Sequence, residues 1–211
     1  MKKDDFTRVH VGDKYGLVNN KQQFIKNQWF DLCHSFICGF AVVKLEGKYN
    51  FVDKKDNYLS EQWFDCCDDF QNGFAVVELK GKYNFIDKEG NYLSEQWLDY
   101  CVKFSEGTGI VQLHGKRNLI NKKGEYVSKQ WFDNVFRFKN GFAVVELKGK
   151  YNFIDKDGKI LSDKWFDYCS DFQEDGFAKV NFDGKYLLID KNGKFYRKVT
   201  KYEPIEIDQN K

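Results

Sequence analysis

Residues 72–88 read NGFAVVELKGKYNFIDK, and residues 140–156 repeat this stretch letter for letter. The offset of 68 is twice 34, and 34 is also the spacing between the five tryptophans of the chain. Columns of Trp, Phe and Asp keep this step: Trp29, Trp63, Trp97, Trp131 and Trp165; Phe36, Phe70, Phe104, Phe138 and Phe172; Asp31, Asp65, Asp99, Asp133 and Asp167. A fixed period of this length predicts a tandem array of one structural unit.

Each unit opens with a predicted β-hairpin. The runs FAVVEL and KYNFID flank Lys80-Gly81, a two-residue turn containing Gly that is typical of hairpins. In this register one face carries Ala75, Val77, Leu79, Asn84 and Ile86, and the other carries Phe74, Val76, Tyr83 and Phe85. Both faces are largely apolar, so neighbouring hairpins must cover both of them, and Tyr83 and Tyr151 are expected in the core. A third short strand is predicted around Tyr92-Leu93.

The connector between hairpins permits two interpretations. In SEQWFDCCDDFQNG, residues 60–73, Trp63, Cys67 and Phe70 have helical spacing. The stretch is nevertheless short and rich in aromatic residues, and the whole chain has 21 Phe and 12 Tyr but one Pro. Aromatic and β-branched residues favour strands. An extended connector with a short strand is therefore favoured, and a short helix is the alternative.

The residues of the unit resemble a known family. GKYNFIDKEG at 81–90 and the pattern Phe-x-x-Gly-Phe-Ala-Val at 70–76 are similar to the bacterial WG (KWG) repeat, over almost the whole chain. That resemblance implies a β-rich tandem array and no particular reaction. The Gly of the family name stands only at Gly16, and Asn replaces it at Asn50, Asn84, Asn118 and Asn152. Asn is interpreted here as a residue that tolerates positive φ.

The repeat predicts an all-β fold in a single repeat domain, residues 1–211, with six hairpins and five Trp connectors. Its boundaries are an N-terminal cap unit at 1–39, repeats at 40–73, 74–107, 108–141 and 142–176, and a C-terminal cap unit at 177–211. Complete hairpins begin at Phe6 and at Phe177, near the two ends, which favours an open solenoid or superhelical stack. A closed five-bladed, propeller-like ring is the alternative.

Charge and hydropathy exclude several classes of partner. Lys plus Arg number 34 and Asp plus Glu number 32, a net charge of +2, so neither nucleic acid nor an anionic membrane is an expected partner. No apolar run approaches the roughly 20 residues of a membrane-spanning helix. The start MKKDDFTRVH lacks the apolar core of a signal peptide. We therefore expect a cytoplasmic protein with reduced cysteines.

The repeated Cys, Asp and Trp residues could act in catalysis, metal binding or ligand binding, but each also has a structural explanation. Cys33, Cys67, Cys101 and Cys169 share their column with Val135, which indicates a small buried apolar position. The Asp column is interpreted as fixing turns, and the Trp column as packing. The sequence contains no P-loop, HExxH or nucleophile elbow. We predict no catalytic residue, no metal site and no cofactor.

Residues that differ between repeats are the better candidates for function. The most divergent unit spans about 101–137, where basic and polar residues replace acidic or aromatic ones. The candidate partner-binding residues are His114, Arg117, Asn121, Asn134, Phe136 and Arg137. The predicted function is a non-enzymatic scaffold that binds another protein. The alternative is a small-ligand, carbohydrate or nucleotide binding module that uses the aromatic column or this basic patch.

Overall fold

Antiparallel hairpins recur along the chain in the computed structural model, which describes residues 6–198 and 202–205. Within these residues the regular structure consists only of strands, bridges and turns, so the predicted all-β tandem repeat is confirmed. No helix in this part of the chain could cross a membrane. In chain order the strands are β1 (Phe6–Val11), β2 (Lys14–Asn19), β3 (Leu32–Cys33), β4 (Phe40–Leu45), β5 (Lys48–Asp53), β6 (Cys66–Cys67), β7 (Ala75–Leu79), β8 (Lys82–Ile86), β9 (Tyr100–Ser105), β10 (Thr108–Leu113), β11 (Lys116–Asn121), β12 (Asn134–Val135), β13 (Phe142–Leu147), β14 (Lys150–Asp155), β15 (Tyr168–Cys169), β16 (Phe177–Phe182), β17 (Lys185–Asp190), β18 (Phe195–Lys198) and β19 (Tyr202–Ile205).

The hairpin turns have the conformation that the sequence predicts. In hairpin β7–β8, Leu79 pairs with Lys82, and the two turn residues Lys80 and Gly81 have φ of 53° and 73°. Positive φ at both central positions defines a type I′ turn, whose twist matches that of the flanking strands. Lys148 and Gly149 repeat these values in β13–β14, at 51° and 73°. The hairpins are therefore confirmed at the predicted turns.

The core lies between successive hairpins. The described residues form two compact units, which divide between Phe104 and Ser105. In the first unit, Val42 and Phe51 of one hairpin cluster with Val77 and Ile86 of the next. The second unit repeats this arrangement in a cluster of buried residues: Val144, Phe153, Phe166, Val180 and Ile189. Within each unit, stacked neighbours thus cover the apolar faces of the hairpins, as predicted.

The Trp connector is extended and joins two hairpins. Its first part pairs with strand β5 of the preceding hairpin. The backbone N–H groups of Tyr49 and Phe64 donate to each other's carbonyl oxygens at 2.8 and 2.9 Å. The connector then forms strand β6, in which Cys67 pairs with Val77 of the following hairpin. The extended interpretation of the connector is confirmed. The third strand expected at Tyr92-Leu93 is reduced to a single bridge between Tyr92 and Ile86.

The cysteine column is buried, as predicted. Cys33, Cys67, Cys101 and Cys169 are each at most 9% exposed, and Val135 in the same column is 3% exposed. Burial raises the pKa of the Cys33 and Cys101 thiols to about 12. Such thiols are almost entirely protonated near neutral pH and are correspondingly poor nucleophiles and metal ligands.

The Asn column has a different role from the predicted one. Asn50, Asn84, Asn118 and Asn152 are absent from the residues with positive φ, so backbone conformation does not explain them. Each is at most 1% exposed, and its side chain forms hydrogen bonds with both the hairpin and the following connector. In Asn118, Nδ2 donates to Ser128 O at 2.8 Å, and Oδ1 accepts from Leu119 N at 2.8 Å. The Asn side chain therefore fixes the connector to the hairpin.

Gly16, which stands where the other repeats have Asn, also lacks a positive φ. A Cβ at Gly16 would lie 2.6 Å from the Phe24 ring, so a side chain there would require this ring to shift. The positive-φ interpretation of the column is thus wrong for Gly and Asn alike.

The Tyr column is less buried than predicted. Tyr83 and Tyr151 are half-buried, and Tyr186 is 74% exposed. The ring of Tyr83 packs edge-on against Tyr100 with centroids 5.6 Å apart. Tyr151 packs against the core cluster of the second unit from its edge, so the expectation that Tyr83 and Tyr151 are buried core residues is wrong.

The Asp column links successive hairpins. Asp133 accepts a hydrogen bond from the Lys116 ammonium, and its second oxygen accepts from the backbone N–H of Lys148 at 2.6 Å. Asp65 makes the same two contacts, with Lys48 and with Lys80 N at 2.6 Å. The Lys hydrogen bond and the backbone hydrogen bond lower the pKa of both carboxyl groups. The predicted structural role of this column is confirmed.

Candidate functional site

The divergent hairpin, β10–β11, keeps the frame of the other hairpins. Thr108 pairs with Asn121 and Leu113 with Lys116, and Val111, Asn118 and Ile120 are buried as their counterparts are. The substitutions that set this hairpin apart therefore leave its framework unchanged. Gln112 and Arg117 lie at its half-buried edge, which we call the rim, and Asn134, Phe136 and Arg137 lie in the connector that follows it.

Arg117 is the central residue of this rim. It replaces the Tyr of the other repeats and lies directly across the ladder from Gln112. Arg117 Nε donates to Gln112 Oε1 at 3.2 Å, and Nη1 donates to Asn134 Oδ1 at 2.6 Å. Asn134 Oδ1 also accepts from Val135 N at 3.0 Å. Two neutral amides thus hold the guanidinium in one orientation.

A surface pocket of about 470 Å³ opens beside Arg117. Its volume lies in the range of about 300–1,000 Å³ that is typical of ligand pockets. Its lining residues belong to the second unit and are Ile110, Arg117, Asn134, Val135, Phe136, Arg137, Phe138, Lys139 and Asp171. The pocket brings together four of the six predicted site residues: Arg117, Asn134, Phe136 and Arg137.

The pocket wall carries more positive than negative charge. Arg117, Arg137 and Lys139 are cationic, whereas Asp171 is the acidic residue of the lining. Lys139 Nζ lies 3.5 Å from Asp171 Oδ2, so this pair partly neutralises itself. Phe136 is 43% exposed at the same site and adds an apolar surface. Chemically, the arrangement suits a group that is anionic at one end and apolar beside it.

His114 and Asn121 are not part of this pocket. His114 is the first residue of the β10–β11 turn, with φ of 49°, and its side chain is exposed. Asn121 Oδ1 accepts from Lys123 N at 2.9 Å and from Glu125 N at 3.0 Å, which closes the next turn. Asp53 makes the equivalent contacts in another repeat, so Asn121 is explained by the fold.

Besides Val135 and Phe138, which belong to the buried Cys and Phe columns, three pocket residues and one supporting residue were not predicted from the sequence. Ile110, Lys139 and Asp171 line the pocket, and Gln112 orients Arg117. Gln112 could have been identified by aligning the repeats, because Glu78 and Glu146 occupy the same position in the identical hairpins. Lys139 and Asp171 lie 32 residues apart, in connectors of successive repeats, and only their packing brings them together.

The Trp column, the alternative site, forms aromatic pairs at Trp29, Trp63, Trp97 and Trp131, whereas Ile160 takes the place of the second ring beside Trp165. Ring centroids are 5.1 Å apart for Tyr58–Trp63 and 5.0 Å apart for Tyr126–Trp131. Tyr126 of the second pair is 37% exposed, whereas Tyr58 and Trp63 are half-buried. Within the described residues, no cluster of three or more His, Cys, Asp or Glu could hold a metal ion.

The model of the WG containing repeat matches residues 15–49, 51–83, 119–151 and 153–186, which together make up more than half of the chain. The chain belongs to the WG repeat family. The segment between the second and third matches, 84–118, contains the divergent hairpin up to Asn118. A model of the RtxA repeat also matches residues 80–92. No curated protein matches this WG repeat chain.

Solved structures show distant similarity to this WG repeat protein. KlHsv2 with loop 6CD replaced by a Gly-Ser linker has 10% identity and a TM-score of 0.43, over 98% of this chain and 79% of that one. Hsv2 of Kluyvelomyces marxianus has 11% identity and a TM-score of 0.41, over 98% and 71%. A eukaryotic initiation factor has 10% identity and a TM-score of 0.46, over 96% and 63%. At these scores the similarities carry no conclusion about function.

Proposed function

We propose that this WG repeat protein is a non-enzymatic module that binds another protein through the pocket around Arg117. The observation that carries the proposal is the location of the divergent residues. Four of them, Arg117, Asn134, Phe136 and Arg137, line one pocket, although they are spread over two segments of the chain. The hairpin supplies Arg117 and the following connector supplies Asn134, Phe136 and Arg137, so the two divergent segments present one continuous surface.

The chemistry of the pocket supports binding rather than catalysis. Its lining has no Ser, Cys or His, and its close titratable pair is Lys139 with Asp171. Nucleophilic catalysis needs a nucleophile with a base in reach, and general acid–base catalysis needs a titratable group positioned to exchange a proton with the substrate, whereas Lys139 and Asp171 are paired with each other. Exposed Phe136 beside two arginines instead resembles a protein interface, in which aromatic residues and Arg are enriched.

The proposal is tested by comparing what three forms of the full chain capture from the native host. The forms are the wild type, Arg117→Tyr, and the control Lys122→Tyr, which also removes one positive charge but at an exposed position outside the pocket. We expect proteins bound by the wild type and by Lys122→Tyr to be lost with Arg117→Tyr. Thermal unfolding should show Arg117→Tyr to be at least as stable as the wild type, because it restores the residue of the other repeats.

Equal capture by all three forms would refute the proposed site. The alternative function is tested with the same variants in a glycan and nucleotide screen. Small-molecule binding that Trp131→Ala abolishes and Arg117→Tyr leaves unchanged would move the site to the aromatic pairs.

A further inference from the structure

The hydrogen-bond partners of Arg117 leave its charge uncompensated. Both acceptors are neutral, Gln112 Oε1 at 3.2 Å and Asn134 Oδ1 at 2.6 Å, and no carboxylate of the described residues forms an ion pair with this guanidinium. The side chain is half-buried, where an unpaired charge is more costly than it is in water. A guanidinium has five N–H donors, and these two contacts use two of them.

The position opposite Arg117 explains why its charge is unpaired. In the identical hairpins the residue at this position is acidic, with Glu78 opposite Tyr83 and Glu146 opposite Tyr151. A Glu at position 112 would place a carboxylate oxygen where Gln112 Oε1 already accepts from Arg117. The divergent hairpin therefore has Arg where the others have Tyr, and it lacks the acid that would neutralise this Arg.

We propose that Arg117 is held in this state to bind a carboxylate from outside the chain, supplied by an Asp or Glu side chain in an acidic segment of a partner protein. This inference rests on the proposed function and names the chemistry of the partner. Gln112 and Asn134 orient the guanidinium without competing for its charge, so the remaining N–H groups are available for the ligand.

Other features of the pocket favour a carboxylate next to an apolar side chain. Arg137 and Lys139 add positive charge to the wall, and Phe136, 43% exposed, offers an apolar surface beside it. Asp171 lies on the same wall, and it repels a doubly charged phosphate more strongly than a singly charged carboxylate. An acidic segment containing an aromatic or aliphatic residue fits both properties of the pocket.

The test uses the full chain with substitutions at position 112 and at the equivalent position 146 of an identical hairpin. Gln112→Glu supplies the missing carboxylate within the protein and leaves Arg117 and the pocket shape unchanged. The matched control is Glu146→Gln, the reverse exchange at the same position of an identical hairpin, where Tyr151 is the neighbour. Two fluorescent probe peptides, Gly-Glu-Phe-Glu-Gly and Gly-Gln-Phe-Gln-Gly, are titrated by anisotropy, and inorganic phosphate serves as the competitor.

We expect the wild type and Glu146→Gln to bind the Glu peptide equally, and the Gln peptide about tenfold more weakly. Gln112→Glu should lose about tenfold in affinity for the Glu peptide and unfold at the same or a higher temperature, because Arg117 then has an internal partner. A lower salt dependence of the remaining binding should accompany this loss.

The inference is overturned if the wild type fails to bind the Glu peptide, binds both peptides equally, or binds no better than Gln112→Glu does. Binding of phosphate in the absence of peptide binding would also overturn it, since the ligand would then be a small anion. If these results occur while Arg117→Tyr still loses the captured proteins, the proposed function stands and only the carboxylate is wrong. If Arg117→Tyr captures the same proteins as the wild type, the proposed function itself fails.

Discussion

Hairpins β7–β8 and β13–β14 lie in segments of identical sequence, and the divergent hairpin β10–β11 lies between them in the chain. All three share the buried Asn and an antiparallel register that ends in a two-residue turn. They differ at the cross-strand rim pair, which is Glu with Tyr in the identical hairpins and Gln112 with Arg117 in the divergent one. The comparison separates the positions that build the repeat from those that are free to acquire a function.

The distinction follows burial. Positions that are buried in all three hairpins, such as the Asn column, carry hydrogen bonds that the fold requires. Positions that are half-buried, such as Tyr83 and Arg117, contact neighbouring side chains on one side and the solvent on the other. Substitutions there have small effects on the free energy of unfolding, because surface changes are usually within about 0.5 kcal/mol. A binding site can therefore evolve at the rim of one repeat without loss of the array.

The largest effect is expected where the hairpins agree. Asn118→Ala and Asn152→Ala should each lower the free energy of unfolding by about 2–3 kcal/mol, because each leaves buried backbone groups without their hydrogen-bond partner. In Asn152 these bonds are 2.7 Å to Ser162 O and 2.8 Å from Phe153 N, close to those of Asn118. Denaturant unfolding measures both variants, with exposed Lys122→Ala as the control. A much smaller effect in the divergent hairpin would show that its frame is not equivalent.

A transplant of the rim residues should produce an effect of intermediate size. In the first unit, Glu78→Gln, Tyr83→Arg and Tyr100→Asn together reproduce the Gln112, Arg117 and Asn134 cluster. The variant loses the edge-on contact of Tyr83 with Tyr100, so we expect a stability loss of about 1 kcal/mol. It should also gain a second site for the Glu peptide, which calorimetry would detect as a stoichiometry of two. A stoichiometry of one would show that the three residues are insufficient without the rest of the pocket.

The smallest effect concerns the Asp contacts that all the compared hairpins share. Because the folded-state pKa values of Asp65 and Asp133 are lowered, their contribution is present above the ordinary value of about 3.9 and is lost as the pH falls through the lowered folded value. Asp65→Asn and Asp133→Asn should therefore melt slightly below the wild type at pH 7. That gap should close as the pH falls well below 4. Unequal gaps at pH 7 would mean that the divergent hairpin changes the contact it shares with β13–β14.

The sequence predicted the features that depend on local or periodic chemistry. The Lys80-Gly81 pair is typical of a two-residue turn, and both residues have positive φ in the structure. The presence of Val135 in the Cys column indicated a buried apolar position. The role of the Asn column was misjudged, because Asn118 acts through Ser128 and Leu119, and only the folded connector brings Ser128 within reach. The pocket was partly missed for a similar reason. Asp171 belongs to the next repeat, and its approach to Lys139 depends on how the repeats stack.

The identity of residues 72–88 and 140–156 poses a problem of folding fidelity. Strand β6 pairs with β7 at Cys67 and Val77, yet strand β13 offers the same sequence with Val145 in place of Val77. Sequence distance separates the two choices, since Val77 is 10 residues from Cys67 and Val145 is 78 residues away. Three doublings of loop length cost about 2 kcal/mol of closure entropy, which favours the nearer partner. The connection along the chain thus selects between two strands whose identical sequences cannot be distinguished. This selection would be weaker where two copies of the chain are joined in tandem or are crowded during synthesis.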